Sequence, residues 1–132
     1  ETDEGCESTR RKEHFILQDW LFKGKVTECC ALCGEKFSVN ALVTAHKKKR
    51  AHCTTAERLD PYIVMPVCVF GCDFLYERGY VYVEAGKVRV NTTKQSNTAE
   101  YQRALILKGK TVSKAWLHGK PGYFPKPAFP TE

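Results

Sequence analysis

Cys30-Ala-Leu-Cys33-Gly34 and Cys68-Val-Phe-Gly-Cys72 bracket the part of this chain that decides its fold. About thirty-five residues separate the two pairs, an interval at which two cysteine knuckles close on one metal. Four soft thiolates form the closed ligand set of a structural zinc site. Gly34, directly after the second cysteine, relieves backbone crowding in the first knuckle. The second pair has the wider C-x3-C spacing, with Gly71 inside it. Cys29 is an alternative to Cys30 as ligand, and would give C-x3-C on both sides.

Between the pairs the chain reads Leu42-Val-Thr-Ala-His46-Lys47-Lys48-Lys49-Arg50. Leu42, Val43 and Thr44 are β-prone and predict a strand running directly into His46. A lone histidine at a strand end is ordinarily structural. This one sits inside the loop that the metal closes, beside four cations. After the last cysteine, Cys72 to Arg78 predicts two helical turns stopped by Gly79. Asp73 and Glu77 are spaced i, i+4 on that helix, so both project from one face and both reach one hard cation. The competing reading is a solvated face, with Glu77 paired to Arg78 or to a nearby lysine.

Working outward, Thr9 to Phe22 carries a helical apolar stripe of Phe15, Ile16, Leu17, Trp20 and Leu21, with Gly24 as the stop, and Trp20 is expected in the core. Residues 1–9 are polar and acidic and are expected to fray. Lys36 to Asn40 and Ala51 to Pro61 read as loops, and Ile63 to Val67 returns the chain to Cys68. Tyr80–Glu84 and Lys87–Val90 alternate around Ala85-Gly86, which predicts a hairpin. Residues 91–97 read as a polar loop. The Asn91-Thr92-Thr93 sequon there is set aside for want of a secretory route. Thr98 to Leu107 predicts a helix capped by Thr98, with Tyr101, Ala104 and Leu105 on one face. The tail, with Pro121, Pro125, Pro127 and Pro130 among aromatics, is expected to be extended over the surface.

The bulk properties bound the class. A chain of 132 residues is read as one domain, 1–132, with its core at about 28–90, an N-terminal helix at about 9–22, and a C-terminal helix and Pro-rich tail at about 98–132. Hydrophobic residues at 42% and charged ones at 27% are globular usage. No run approaches the roughly 20 apolar residues of a membrane span, and no secretory signal opens the chain. The missing initiator Met points to an excised domain or a processed chain. Seven cysteines, an odd number, argue for reduced thiols and metal binding over disulfides, hence a cytoplasmic or nuclear compartment. The net charge of +6 suits an anionic partner, nucleic acid first among them.

In these parts the chain resembles the HNH endonucleases, in particular the restriction-type domains with a four-cysteine zinc site. Those run as a C-x-x-C-G knuckle, a strand ending in Ala-His, a basic stretch, Glu-Arg-Leu-Asp, an apolar strand into Cys, a short acidic helix ending in Gly, and a hairpin. Here the parts are Cys30–Gly34, Leu42–His46, Lys47–Arg50, Glu57–Asp60, Ile63–Cys68, Asp73–Gly79 and the strands that follow. The similarity covers roughly residues 28–90. It implies an α+β chain: a ββα-metal finger with structural zinc on Cys30, Cys33, Cys68 and Cys72, flanked by an N-terminal helix and a C-terminal β-hairpin and helix.

The implied activity is hydrolysis of a DNA phosphodiester, as in restriction or DNA defence. His46 would activate water, Asp73 and Glu77 would hold a catalytic Mg²⁺ or Mn²⁺, and Lys47, Lys48, Lys49 and Arg50 would grip phosphates. A homodimer and a separate specificity domain are further expectations. The chain departs from the family pattern at three places. Tyr62 or Ile63 stands near the family's middle asparagine, and Ala45 precedes the base where Asp or His is frequent. The third motif position falls among Cys72, Asp73 and Glu77. Those departures carry the alternative, a zinc-stapled nucleic-acid-binding module without turnover. A zinc-dependent protein-interaction domain ranks third, because it makes no use of His46 and its basic run.

Overall fold

The computed structural model describes residues 3–127, with side-chain surroundings from residue 7 onward; Cys6 and Pro130 lie outside those limits. The described residues are mixed α+β and form three two-stranded antiparallel sheets. Its regular elements are α1 (Asp3–Phe22), β1 (Thr27–Cys29), β2 (Lys36–Ser38), β3 (Leu42–His46) and α2 (Thr55–Arg58). They continue with β4 (Val64–Cys68), α3 (Cys72–Glu77), β5 (Val81–Glu84), β6 (Lys87–Val90) and α4 (Ala99–Leu107). Among the described residues, no helix is long and apolar enough to cross a membrane.

The centre is β4. All five of its residues are buried, as expected of an apolar run covered on both faces. It pairs with β3 in the register Leu42↔Cys68 through His46↔Val64. Strand β4 therefore begins opposite the histidine and ends at a cysteine. The first knuckle docks on the same strand, where the Ala31 amide donates to the Pro66 carbonyl at 2.8 Å. Leu17, Leu21, Leu32, Ile63, Met65, Leu75 and Val81 close the core around it.

The hairpin follows its prediction. Val81 pairs with Val90 and Glu84 with Lys87. Ala85 and Gly86 both take positive φ, 54° and 74°, as a two-residue turn matching strand twist requires.

Four expectations change. Helix α1 begins at Asp3, so residues 3–8 are helical rather than frayed. Its buried stripe is Glu13, Leu17 and Leu21, while Phe15 is 70%, Ile16 53% and Trp20 44% exposed. Trp20 leaves the core because the Glu13 carboxylate is pulled in by Arg50 (2.8 Å) and Arg58 (3.3 Å), which sets the rotation of the helix. Lys36–Asn40 is not a loop, since β2 pairs with β1 from Thr27↔Ser38 to Cys29↔Lys36 and then enters a 3-10 turn. Residues 51–61 contain α2, started by a capping box in which Thr54 accepts from the Glu57 amide and Glu57 accepts from that of Thr54.

The C-terminal segment also departs from its reading. Helix α4 buries Tyr101, Ala104 and Leu107, leaving Leu105 40% exposed, and Thr98 makes no side-chain cap bond. The chain after α4 runs along β6, where the Val88 amide donates to Lys110 and the Val112 amide to Gly86. Trp116 and Tyr123 are then buried in the core. The segment is an integral layer of the fold rather than a surface wrap.

Candidate functional site

The four cysteines come from three different places. Cys30 and Cys33 lie on the turn after β1, closed by the Gly34 amide donating to the Cys30 carbonyl at 2.9 Å. Cys68 is the last residue of β4, and its amide donates to the Cys30 sulfur at 3.4 Å. Cys72 opens α3, after Gly71 at φ 135°. That backbone conformation suits glycine alone, and a Cβ there would also press on Arg103. The Sγ atoms of Cys30, Cys33, Cys68 and Cys72 all lie within 4.8 Å of one another. A tetrahedral zinc with Zn–S bonds of about 2.3 Å has S···S edges of about 3.8 Å, so this set fits such an ion. Cys29 is exposed on β1 and takes no part, which answers the choice between it and Cys30.

The protonation of the cluster points the same way. A hydrogen bond from Cys72 draws the Cys30 thiol down to about 5. Burial, and then the charge on Cys30, push Cys33 up to about 12, and Cys72 is raised as the donor to that thiolate. A dication bound here would take all four as thiolates. Cys30, Cys33, Cys68 and Cys72 would hold such an ion.

His46 ends β3 about one strand length from the cysteines, and the amide after it donates to the Ile63 carbonyl at 2.7 Å. Its imidazole is half-buried between α1 and α3. Burial first, then His14 and Arg50, hold its pKa below the ordinary histidine value, against a weaker opposite pull from Glu13 and Glu77. The ring is therefore neutral at pH 7, with a lone pair able to accept a proton. It lines two clefts. One, of about 340 Å³, has Lys49, His52, Tyr76, Glu77 and Tyr82 on its walls. The other, of about 420 Å³, is walled by Arg10, Arg11, His14, Phe15, Gln18 and Arg50.

Asp73 and Glu77 stand one turn apart on α3 as expected. Burial and the neighbouring Glu77 raise the Asp73 carboxyl. Glu77 faces solvent and pairs with Lys49, 3.4 Å away. Its pairing to a lysine is the solvated-face arrangement that competed with metal binding. Among the described residues the four cysteines are the group that brings three or more His, Cys, Asp or Glu ligand atoms together; His46, Asp73 and Glu77 do not converge in that way.

The basic run is divided. Lys47 is only 2% exposed; its ammonium donates to the His118 carbonyl at 3.1 Å and lies over the Phe124 ring. It is therefore turned away from any phosphate, contrary to expectation. The C-terminal segment explains this, because it brings the His118 carbonyl and the Phe124 ring over the Lys47 ammonium. Lys48 pairs with Glu57 at 3.0 Å, Lys49 with Glu77 and Arg50 with Glu13. Tyr62, near the expected asparagine, is partly exposed, with Trp20 edge-on and His118 tilted against its ring.

Two buried polar groups escaped the sequence reading. The Tyr76 hydroxyl of α3 donates to the Lys47 carbonyl, tying the backbone beside His46 to the acidic helix. Asn91 donates to the Gly79 carbonyl at 2.9 Å and accepts from Thr93, fixing the end of α3 to the hairpin. Tyr76 lies in the Asp73–Gly79 heptapeptide already singled out, so its polar tip beside an apolar run was the available signal. No protein-family model and no curated protein matches this chain.

Proposed function

We propose that the chain is an HNH-type, metal-dependent DNA endonuclease whose β3–β4–α3 unit is a zinc-stapled ββα-metal finger. The observation that carries this reading is a neutral, half-buried His46 at the end of a strand, lining one cleft with Glu77 of the helix that Cys72 opens. In this reading the His46 imidazole takes the proton from a water aimed at a phosphodiester. Asp73 and Glu77 would hold Mg²⁺ or Mn²⁺, which supplies Lewis-acid polarisation of the phosphate oxygens. The raised Asp73 carboxyl, with its charge opposed by Glu77, is a group that gains from a nearby cation. Lys49 shields Glu77 until a substrate phosphate draws the ammonium away. Tyr76 takes over the loop-fixing that the resemblance gives to an asparagine, by holding the Lys47 carbonyl.

The test is conversion of supercoiled plasmid by zinc-loaded protein on addition of Mg²⁺ or Mn²⁺. Asp73→Asn is expected to raise the metal concentration needed by about tenfold, a loss of about 1.4 kcal/mol in metal binding. The Lys49–Glu77 pair favours a second reading, a zinc-stapled DNA-binding module without turnover. Binding with a steep salt slope, but no cleavage with any divalent metal, would select that second reading.

A further inference from the structure

We infer that helix α1 is a second DNA-backbone contact of the His46 site, with Arg10, Arg11 and His14 meeting phosphates that flank the one held at His46. This rests on the nucleic-acid reading above and extends it to a helix outside the resembling region. The first support is the rotation of α1. Glu13, Leu17 and Leu21 face the core, so Arg10, His14 and Gln18, each four residues from the next, form the adjoining stripe. That stripe, with Arg11 and Phe15, makes one wall of the 420 Å³ cleft whose opposite wall holds His46 and Arg50.

Charge decides what the cleft fits. The acid in its lining, Glu13, is buried and already engaged by Arg50 and Arg58. Arg10 and Arg11 are exposed and share the single carboxylate of Glu7, each at 3.7 Å. Exposed pairs at that distance hold their side chains weakly, so both guanidiniums can turn to an incoming anion. Guanidiniums bind phosphate oxygens through paired donors, and a chain of net charge +6 offers them a polyanion rather than a single ion. The stripe from Arg10 to Gln18 is about 12 Å long. Along a duplex axis that is about three to four base-pair steps, so α1 spans several phosphates beside the one at His46.

The experiment is equilibrium binding of a labelled DNA duplex by the full chain, zinc-loaded, over about 50 to 200 mM salt. Arg10→Gln/Arg11→Gln is expected to weaken binding at least tenfold at the low-salt end and to flatten the log–log salt slope by about 2. Lys108→Gln/Lys110→Gln, at the end of α4, is expected to leave the slope unchanged. Circular dichroism of each variant verifies that the helices persist. An unchanged slope in the arginine variant overturns the inference and spares the nucleic-acid reading. Equal flattening by the lysine variant also overturns it, since the contact would then be diffuse. Failure of the unaltered chain to bind any duplex overturns both.

Discussion

At the scale of single residues, burial decides how each charged group behaves. Lys47 stands in a run of four cations, yet burial lowers its pKa from 10.5 to about 8. The folded chain therefore binds fewer protons here than the unfolded chain between those values, and stability from this group rises as pH climbs from about 8 to 10.5. Lys47→Met removes that rise, and chemical denaturation at a series of pH values will reveal it as a flatter profile. His46 is depressed as well, by burial and then by His14 and Arg50. A lowered base stays neutral to lower pH, so cleavage is expected to hold until pH falls below the ordinary histidine value of 6.5. Arg50→Gln withdraws a positive neighbour, raises the His46 pKa and moves the acid limb of the pH–rate profile upward. A limb that stays in place would mean that His46 is not the titrating group.

At the scale of elements, the cysteine cluster joins β4 to α3 and thereby fixes where the acidic helix sits relative to His46. Cys68→Ser is expected to abolish stoichiometric zinc and to cost about 5 kcal/mol or more of unfolding free energy, because metal binding is folding free energy in a small zinc-closed unit. Metal analysis and a urea titration measure the two effects. How far the sequence disclosed these elements depended on the range of the forces involved. The knuckles, β3, β4, α3 and the hairpin were legible, since ligand spacing, strand alternation and a positive-φ turn are local signals. The α1 stripe was not. Phe15, Ile16 and Trp20 fit an apolar face as well as Leu17 and Leu21 do, and the choice came from Glu13 meeting Arg50 and Arg58, which lie far along the chain. Lys47 was misread for a related reason: its burial depends on His118 and Phe124 arriving from the C-terminal segment. The choice of Cys30 over Cys29 likewise needed the β1–β2 register, which leaves Cys29 outward.

At the scale of the whole molecule, three layers converge on one histidine. The β3–β4 strand pair delivers it, α3 brings the Glu77 carboxylate to one side, and α1 brings arginines to the other. Arg10, Arg11, Lys49 and Arg50 line the two clefts that meet at His46, in a chain whose net charge is +6. Several of those cations are already paired with carboxylates, so DNA binding is expected to exchange internal ion pairs for phosphate contacts and to weaken sharply with salt. The most direct measurement compares nicking of supercoiled plasmid by the unaltered chain and by His46→Ala, both carrying full zinc, in the presence of Mn²⁺. The account predicts a loss of about a hundredfold or more in the variant, with zinc content and DNA affinity retained. Equal nicking by the two proteins would contradict it.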